Sequence, residues 1–124
     1  LDAKRDWGHP KDYVEGMWRI INYKIPDDFV LATGKSYSVR EFCEFAFKEI
    51  GIRIGWKGKG LKEKGVNTKN NKILVEVDKR YFRPTEVDYL LGNASKAKKL
   101  LKWKPKIKFK DLVSEMVKSD IDNF

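Results

Sequence analysis

The chain has 124 residues, 41% of them hydrophobic, and carries a net charge of +9 from 27 basic and 18 acidic side chains. This length is enough for one globular domain with a modest core, but not for two. No apolar run approaches the roughly 18 residues needed to span a bilayer, so we expect no membrane-embedded segment.

The first part of the chain predicts a helix followed by a strand. Apolar residues at helical spacing predict an amphipathic helix over residues 11–23, and Pro10 suits its first turn. The apolar run at residues 29–32 predicts a short buried strand, which Thr33 and Gly34 end. The apolar residues that define the helix are Tyr13, Val14, Met17, Trp18 and Ile21.

A second helix and strand are predicted next. Ser38 and Glu41 have the spacing of a capping box, in which each side chain satisfies a free amide at a helix start. The helix is predicted to run to about Ile50 and to end at Gly51, and residues 52–56 alternate like a strand. The residues that this helix is expected to bury are Val39, Phe42, Phe45, Ala46 and Ile50.

The rest of the chain predicts a loop, a strand and two helices. Residues 57–71 are rich in Gly, Lys and Asn and contain too few apolar residues to pack, so we predict a loop there. Alternating apolar residues at 73–77 predict a third short strand. A helix capped at 93–95 is predicted to reach about residue 101, where Trp103 and Pro105 break it. The final amphipathic helix is defined by Phe109, Leu112, Val113, Met116, Val117 and Ile121.

Together these elements predict an α/β protein of an α+β-like kind, with about four helices and a small sheet of short strands. Strands this short and this far apart rarely form a stable sheet by themselves. We therefore expect the sheet to pack against the helices or against another domain.

The single cysteine and the single histidine limit the possible chemistry. One cysteine, Cys43, excludes an internal disulfide and favours a reducing cytoplasm as the location. One histidine and one cysteine give no plausible zinc site, so no metal is expected. His9 has no Ser or Cys nucleophile beside it in the sequence, and we interpret it as structural rather than as a general base.

A cluster of charged residues precedes the first helix. Arg5, Asp6, His9 and Asp12 lie within eight residues. Arg5 could bind phosphate oxygens with both arms of its guanidinium group, while Asp6 and Asp12 would orient neighbouring donors or cap the helix. The alternative is an ordinary salt bridge between Arg5 and Asp6 or Asp12, and composition alone does not decide between the two.

A second charged cluster lies around Pro84. The proline favours an extended conformation at Arg83, which would project the guanidinium group outwards. Glu86 could accept hydrogen bonds from two ribose hydroxyls. The alternative is a salt bridge within the loop, between Arg83 and Glu86 or Asp88, and spacing alone leaves this open.

The surplus of positive charge suits an anionic partner such as a nucleotide or a nucleic acid. However, only six of the basic residues are Arg, and a lysine surplus is more typical of solvated surface. In the lysine-rich stretch 96–110 the aromatic residues Trp103 and Phe109 are assigned to the core, so they form no stacking platform for bases. The glycines at 55–60 match neither phosphate-binding motif, and we interpret them as a flexible loop.

Two segments carry a resemblance to a known family. Residues 5–18 (RDWGHPKDYVEGMW) and 81–88 (YFRPTEVD) closely resemble the GDP-mannose 4,6-dehydratases, which are extended short-chain dehydrogenases/reductases. Matching segments lie between and after them, in the same order and at similar spacing, so the resemblance covers essentially the whole chain. These further segments are 28–34, 38–42, 95–98 and 103–105.

The resemblance implies that residues 1–124 are the C-terminal, GDP-sugar-binding part of a longer enzyme. An N-terminal Rossmann domain, absent here, would bind NADP and hold the catalytic residues. The complete enzyme would convert GDP-mannose to GDP-4-keto-6-deoxymannose, a step of GDP-fucose biosynthesis. In this scheme Arg5 and Arg83 contact the diphosphate and Glu86 contacts ribose hydroxyls. The present chain would contain no catalytic or cofactor-binding residue.

Two sequence motifs of the family's N-terminal part are missing from this chain, which agrees with the division into an N-terminal cofactor-binding part and a C-terminal substrate-binding part. No G-x-x-G-x-x-G motif is present, and no tyrosine is followed four positions later by lysine. We therefore expect the chain to be inactive alone, and its Rossmann-facing surface to be covered by self-association or by another chain. Two alternatives remain open: a fragment of a related GDP-sugar epimerase or reductase, and a free-standing basic module that binds nucleic acid.

Overall fold

The computed structural model describes all 124 residues. It contains four helices: α1 (Pro10–Ile21), α2 (Val39–Glu49), α3 (Ala97–Leu101, a π-helical turn) and α4 (Phe109–Asn123). Its five short strands are β1 (Lys4–Arg5), β2 (Tyr37–Ser38), β3 (Ile54–Lys57), β4 (Lys64–Asn67) and β5 (Ile73–Glu76). Strands β1 and β2 pair antiparallel, and β3, β4 and β5 form an antiparallel sheet in that order. The predicted class of four helices with small sheets is confirmed, and none of these helices could cross a membrane.

Two of the helix starts predicted from the sequence, those of α1 and α2, are present with their caps. The Nδ1 atom of His9 accepts a hydrogen bond from the amide of Lys11 at 3.1 Å and caps α1. The Ser38 hydroxyl accepts from the Glu41 amide at 3.1 Å, and the Glu41 carboxylate accepts from the Ser38 amide at 2.7 Å. Gly51 follows α2 with a φ of +75°, the left-handed conformation that glycine adopts without strain.

One core is built on Trp103, which is only 1% exposed. Its Nε1–H donates to the backbone carbonyl of Asp12 at 2.7 Å, and Ala97 and Leu101 of α3 pack against it. On α1, a Cβ added at Gly16 would lie 3.1 Å from Trp103 Nε1, so glycine lets the helix approach closely. The partly buried residues around this core are Tyr13, Ile20, Tyr23, Phe29, Leu31 and Ala94.

A second, aromatic core surrounds Phe109 at the start of α4. The Tyr37 ring stacks on it with centroids 4.1 Å apart, and the Trp7 ring stacks at 5.5 Å. Phe42 and Phe45 of α2 meet it edge-on at 5.7 and 5.6 Å. Such stacked and edge-to-face pairs add to the stabilisation that burial provides, and they join α2 to α4.

The loop predicted at residues 57–71 is wrong in part, because β4 lies within it. In β4, a Cβ added at Gly65 would lie 2.9 Å from the Trp56 ring, so this glycine is a packing position that a hydrophobic pattern does not reveal. Arg40 of α2 donates to the buried carboxylate of Glu63 at 2.9 and 2.6 Å. Its guanidinium carbon also lies 5.6 Å from the Trp56 ring centroid. These contacts tie the three-stranded sheet to α2.

The strand predicted at residues 29–32 is also wrong for this chain. None of the four residues makes a backbone–backbone hydrogen bond, because no strand of the chain lies beside them. Ala32 is buried, whereas Val30 is 54% exposed. The segment therefore has the composition of a strand but no partner strand.

Four of the five apolar residues used to predict α1 face outwards, and only Tyr13 packs against the core. The four are between 57% and 82% exposed: Val14, Met17, Trp18 and Ile21. The side of α1 that faces the core carries Tyr13, Gly16 and Ile20 instead, so the helix is apolar on two sides. Ile50, Met116 and Ile121 were also expected on buried faces and are 46–56% exposed.

Asp12 is a buried carboxylate that holds the chain after Trp103 against α1. It is 4% exposed, and its Oδ2 atom accepts from the amides of Lys106 and Ile107 at 3.1 and 3.0 Å. Because a buried carboxylate is costly unless it is hydrogen-bonded, these two bonds make the position specific for an acceptor.

We expect Asp12→Ala to lower the free energy of unfolding by about 2–4 kcal/mol, because it leaves two buried amides without an acceptor. Chemical denaturation monitored by tryptophan fluorescence measures the change. Asp120→Ala, at an exposed position on α4, is the matched control and should have an effect within about 0.5 kcal/mol. Equal effects of the two substitutions would contradict the structural role given to Asp12.

Candidate functional site

Strand β1 brings the two charged clusters of the sequence together. On one side it pairs with β2, Lys4 opposite Ser38. On the other side the Lys4 amide donates to the Asp88 carbonyl at 2.7 Å, and the Leu90 amide donates to the Lys4 carbonyl at 3.0 Å. Segments that are more than 80 residues apart in sequence therefore lie side by side. We call residues 83–92 the PTEV segment, after the sequence that begins at Pro84.

The side chain of Arg5 reaches across to this segment. Its Nη2 donates to the Glu86 carboxylate at 2.5 Å, and its Nη1 donates to the Val87 carbonyl at 2.6 Å and to the Lys4 carbonyl at 2.8 Å. The arginine side chain is 21% exposed and that of Glu86 is 41% exposed. The predicted alternative, a salt bridge from Arg5 to Asp6 or Asp12, is wrong.

The ion pair leaves part of each group available. An arginine has five N–H donors, and three of those on Arg5 are used within the chain. Its Nε–H and one N–H of Nη2 have no partner in the chain. On Glu86 only Oε1 accepts from Arg5. The ion pair holds its two members in fixed relative positions while these groups stay without a partner in the chain.

Arg83 lies in an exposed turn just before Glu86. Its carbonyl accepts from the Glu86 amide at 3.3 Å, and its guanidinium group forms none of the hydrogen bonds or ion pairs in the structure. The predicted alternative of a salt bridge to Glu86 or Asp88 is therefore not formed. The exposed guanidinium group of Arg83 is thus three positions in sequence from Glu86, which is the partner of Arg5.

The two aspartates beside Arg5 bind backbone amides rather than arginines. Asp12 holds residues 106 and 107 as described above, and Asp6 accepts from the amides of Thr33, Gly34 and Gly92 at 3.0, 3.0 and 3.2 Å. The prediction that they orient neighbouring donors agrees with these contacts. Both carboxylates are therefore occupied by backbone amides, and neither pairs with Arg5.

His9 and Tyr13 lie near these residues but have structural surroundings. Because Nδ1 of His9 accepts from Lys11, Nε2 carries the proton and donates to Glu115 at 3.1 Å. Burial raises the pKa of the Tyr13 phenol, and the negative charges of Asp6 and Asp12 raise it further. The phenol therefore stays protonated at neutral pH and is unsuited to act as a base.

Of the glycines at 55–60, Gly55 lies in β3, and Gly58 and Gly60 form a closed turn rather than a phosphate cradle. A Cβ added at Gly58 would lie 2.7 Å from the Lys62 carbonyl oxygen, so the loop is packed against itself. A short 3-10 turn (Gly60–Lys62) follows, not an α-helix. This geometry does not fit the phosphates of a dinucleotide cofactor, whose usual site is the start of a helix.

Comparison with known proteins places the chain in a sequence family. A family model described as GDP-mannose 4,6 dehydratase matches residues 1–116. GDP-mannose 4,6 dehydratase of Dictyostelium discoideum is 56% identical over 122 residues, which are 98% of this chain and 34% of that protein. The Homo sapiens protein of the same name is 53% identical over 122 residues, 98% of this chain and 33% of that protein. The chain thus spans about a third of the length of these curated relatives.

Solved structures show the same fold at low sequence identity. RMD from Pseudomonas aeruginosa, solved with NADPH, superposes with a TM-score of 0.72 at 14% identity, covering all of this chain and 35% of that one. UDP-glucose 4-epimerase from Thermotoga maritima, solved with UDP-glucose, has a TM-score of 0.71 at 16% identity, covering 98% of this chain and 33% of that one. At these identities the likeness concerns the fold alone.

We expect Arg5→Ala to loosen the PTEV segment, because it removes hydrogen bonds to Glu86 and Val87, and bonds to a charged group contribute about 1.5–3 kcal/mol each. Amide hydrogen exchange of Leu90 and Gly92 should accelerate at least about tenfold. Arg53→Ala, at an exposed position beside β3, should leave these two amides unchanged. Unaltered exchange in the Arg5 variant would show that its side chain does not hold the segment.

Proposed function

The chain belongs to the GDP-mannose 4,6-dehydratase family, and from this premise we propose that it is the nucleotide-sugar-binding, C-terminal part of such an enzyme. The complete protein would convert GDP-mannose to GDP-4-keto-6-deoxymannose. One observation carries the assignment of the site: Arg5, Glu86 and Arg83 are assembled on adjoining segments, and donors on both arginines have no partner in the chain.

The proposed role of these residues is to bind and orient the substrate. A diphosphate brings about two negative charges, which Arg83 and the two remaining N–H groups of Arg5 would bind. The second oxygen of Glu86 would accept from ribose hydroxyls. Binding energy gained at the nucleotide positions the distant sugar for reaction, so these groups would contribute to catalysis without exchanging protons with the sugar.

The redox chemistry would depend on a part of the protein outside this chain. NADP, when bound there, supplies reversible hydride transfer. The closed glycine turn at 55–60 does not fit it, and we assign no residue of this chain to the cofactor. A solved neighbour with the same fold contains NADPH, which supports NADP as the cofactor. The single free thiol, Cys43, supports a reducing, cytoplasmic location.

Two features support a large partner surface on this chain. The outward face of α1, formed by Val14, Met17, Trp18 and Ile21, is an exposed apolar stripe, and such stripes mark interaction sites. Residues 29–32 have a strand-like sequence whose backbone N–H and C=O groups form no backbone hydrogen bonds within the chain. Any domain that covers them must supply hydrogen-bond partners, because burying unpaired backbone groups costs free energy. Because the relatives are about three times as long, we propose that the remainder of the protein, a Rossmann domain, covers both features.

We expect Arg5→Ala and Arg83→Ala each to weaken GDP-mannose binding by about 1.5–3 kcal/mol, which is roughly a ten- to hundredfold rise in Kd. The experiment uses a complete dehydratase in which this chain replaces the matching segment of the Dictyostelium relative, with Kd measured by calorimetry. Arg80→Ala is the matched control, since Arg80 lies on the same stretch of chain and pairs with Asp78. Unchanged Kd values in both variants would refute the proposed site.

We expect Ile21→Asp to change the free energy of unfolding less in the isolated chain than in the complete protein. Ile21 is 82% exposed in this chain, so the isolated chain should change its free energy of unfolding by less than about 0.5 kcal/mol. In the complete protein the aspartate would be buried in the interface and should destabilise by at least about 2 kcal/mol. Lys11→Asp, at an exposed position at the start of α1, is the control. Equal effects of Ile21→Asp in both contexts would contradict this docking surface.

A further inference from the structure

The carboxylate of Asp6 binds two separate segments at the end of β1. Its Oδ1 atom accepts from the Thr33 amide at 3.0 Å and from the Thr33 hydroxyl. Its Oδ2 atom accepts from the Gly34 amide at 3.0 Å and from the Gly92 amide at 3.2 Å. A carboxylate offers about four acceptor positions, so these four donors saturate Asp6 and leave it no role as a substrate contact.

Gly92 lies at the end of the PTEV segment and in close contact with residues 30–34. A Cβ added at Gly92 would lie 2.2 Å from the Cβ of Ala32, and Ala32 is itself 6% exposed. The φ angle of Gly92 is not positive, so it is close approach rather than backbone conformation that requires glycine here. The end of the PTEV segment is therefore packed directly against the buried residue Ala32.

Lys4, Arg5 and Asp6 each bind the PTEV segment at a different position along it. The backbone of Lys4 holds residues 88 and 90, and the side chain of Arg5 holds residues 86 and 87. Asp6 holds residue 92 and, unlike the other two, also fixes it to residues 33–34. Asp6 thus connects the segment to the Trp103 core, against which Leu31 packs.

We propose, resting on the proposed function, that Asp6 is a positioning residue for the nucleotide sugar. It sets the place of the segment that bears Arg83 and Glu86 relative to Arg5, without touching the substrate. The groups displaced by loss of the Asp6 contacts are the proposed nucleotide contacts and not the reacting groups, so the loss should act on substrate affinity first.

The test uses the complete chimeric dehydratase described above with Asp6→Asn. Asparagine keeps the size and one oxygen, but its amide group faces N–H donors that need an acceptor. We expect KM for GDP-mannose to rise about ten- to hundredfold while kcat changes little. Asp12→Asn makes the same chemical change at another amide-binding carboxylate and should lower stability while leaving KM unchanged.

A second pair of variants decides the matter if Asp6→Asn does not fold. Gly92→Ala should raise KM by pressing on Ala32, and the double variant Ala32→Gly/Gly92→Ala, which restores the space, should lower KM again. Wild-type KM in a folded Asp6→Asn variant, or in Gly92→Ala, would overturn the positioning role while leaving the roles of Arg5 and Arg83 intact. A wild-type chimera that does not turn over GDP-mannose would overturn the proposed function, and this inference with it.

Discussion

The structure depends on carboxylates that bind backbone amides instead of arginines. Asp6 and Asp12 lie on either side of the turn into α1, and between them they accept from five backbone amides in three distant stretches of chain. Hydrogen bonds to a charged acceptor are about twice as strong as neutral ones, and these add to the apolar packing around Trp103 that joins the same stretches. Because both aspartates are occupied in this way, Arg5 turns to the PTEV segment. The candidate site is thus a consequence of how the fold is held together.

The sequence was sufficient to predict the helix starts and ends that depend on residues close together in the chain. The Ser38–Glu41 capping box, the stop at Gly51 and the end of α3 at Lys102 all follow from conformations or interactions within a few residues. The resemblance of two segments to a family pointed to Arg5, Arg83 and Glu86 as candidate site residues, and the family itself is confirmed. It could not show that Arg5 pairs with Glu86, since the two are 81 residues apart and each had a carboxylate or an arginine nearer in sequence.

Two of the wrong predictions share a physical cause, which is that periodicity reports an apolar face but not what covers it. The outward stripe on α1 and the strand-like residues 29–32 have the pattern of buried elements. In this chain neither has a covering partner, and the core-facing side of α1 is made by Tyr13, which the pattern included, with Gly16 and Ile20, which it did not. Strand β4 was missed for the opposite reason: glycine and a buried Glu63–Arg40 pair perform the packing there, and neither contributes to a hydrophobic pattern.

Residues 29–32 have a consequence for how the polypeptide must be handled during folding. A strand-like stretch with open N–H and C=O groups is a template onto which another chain can add, as occurs in aggregation and domain swapping. On the proposal that the remainder of the protein covers this segment, the same covering would also block the addition of a second copy. The proposed docking of residues 29–32 onto the rest of the protein would therefore protect them from pairing with another copy during folding.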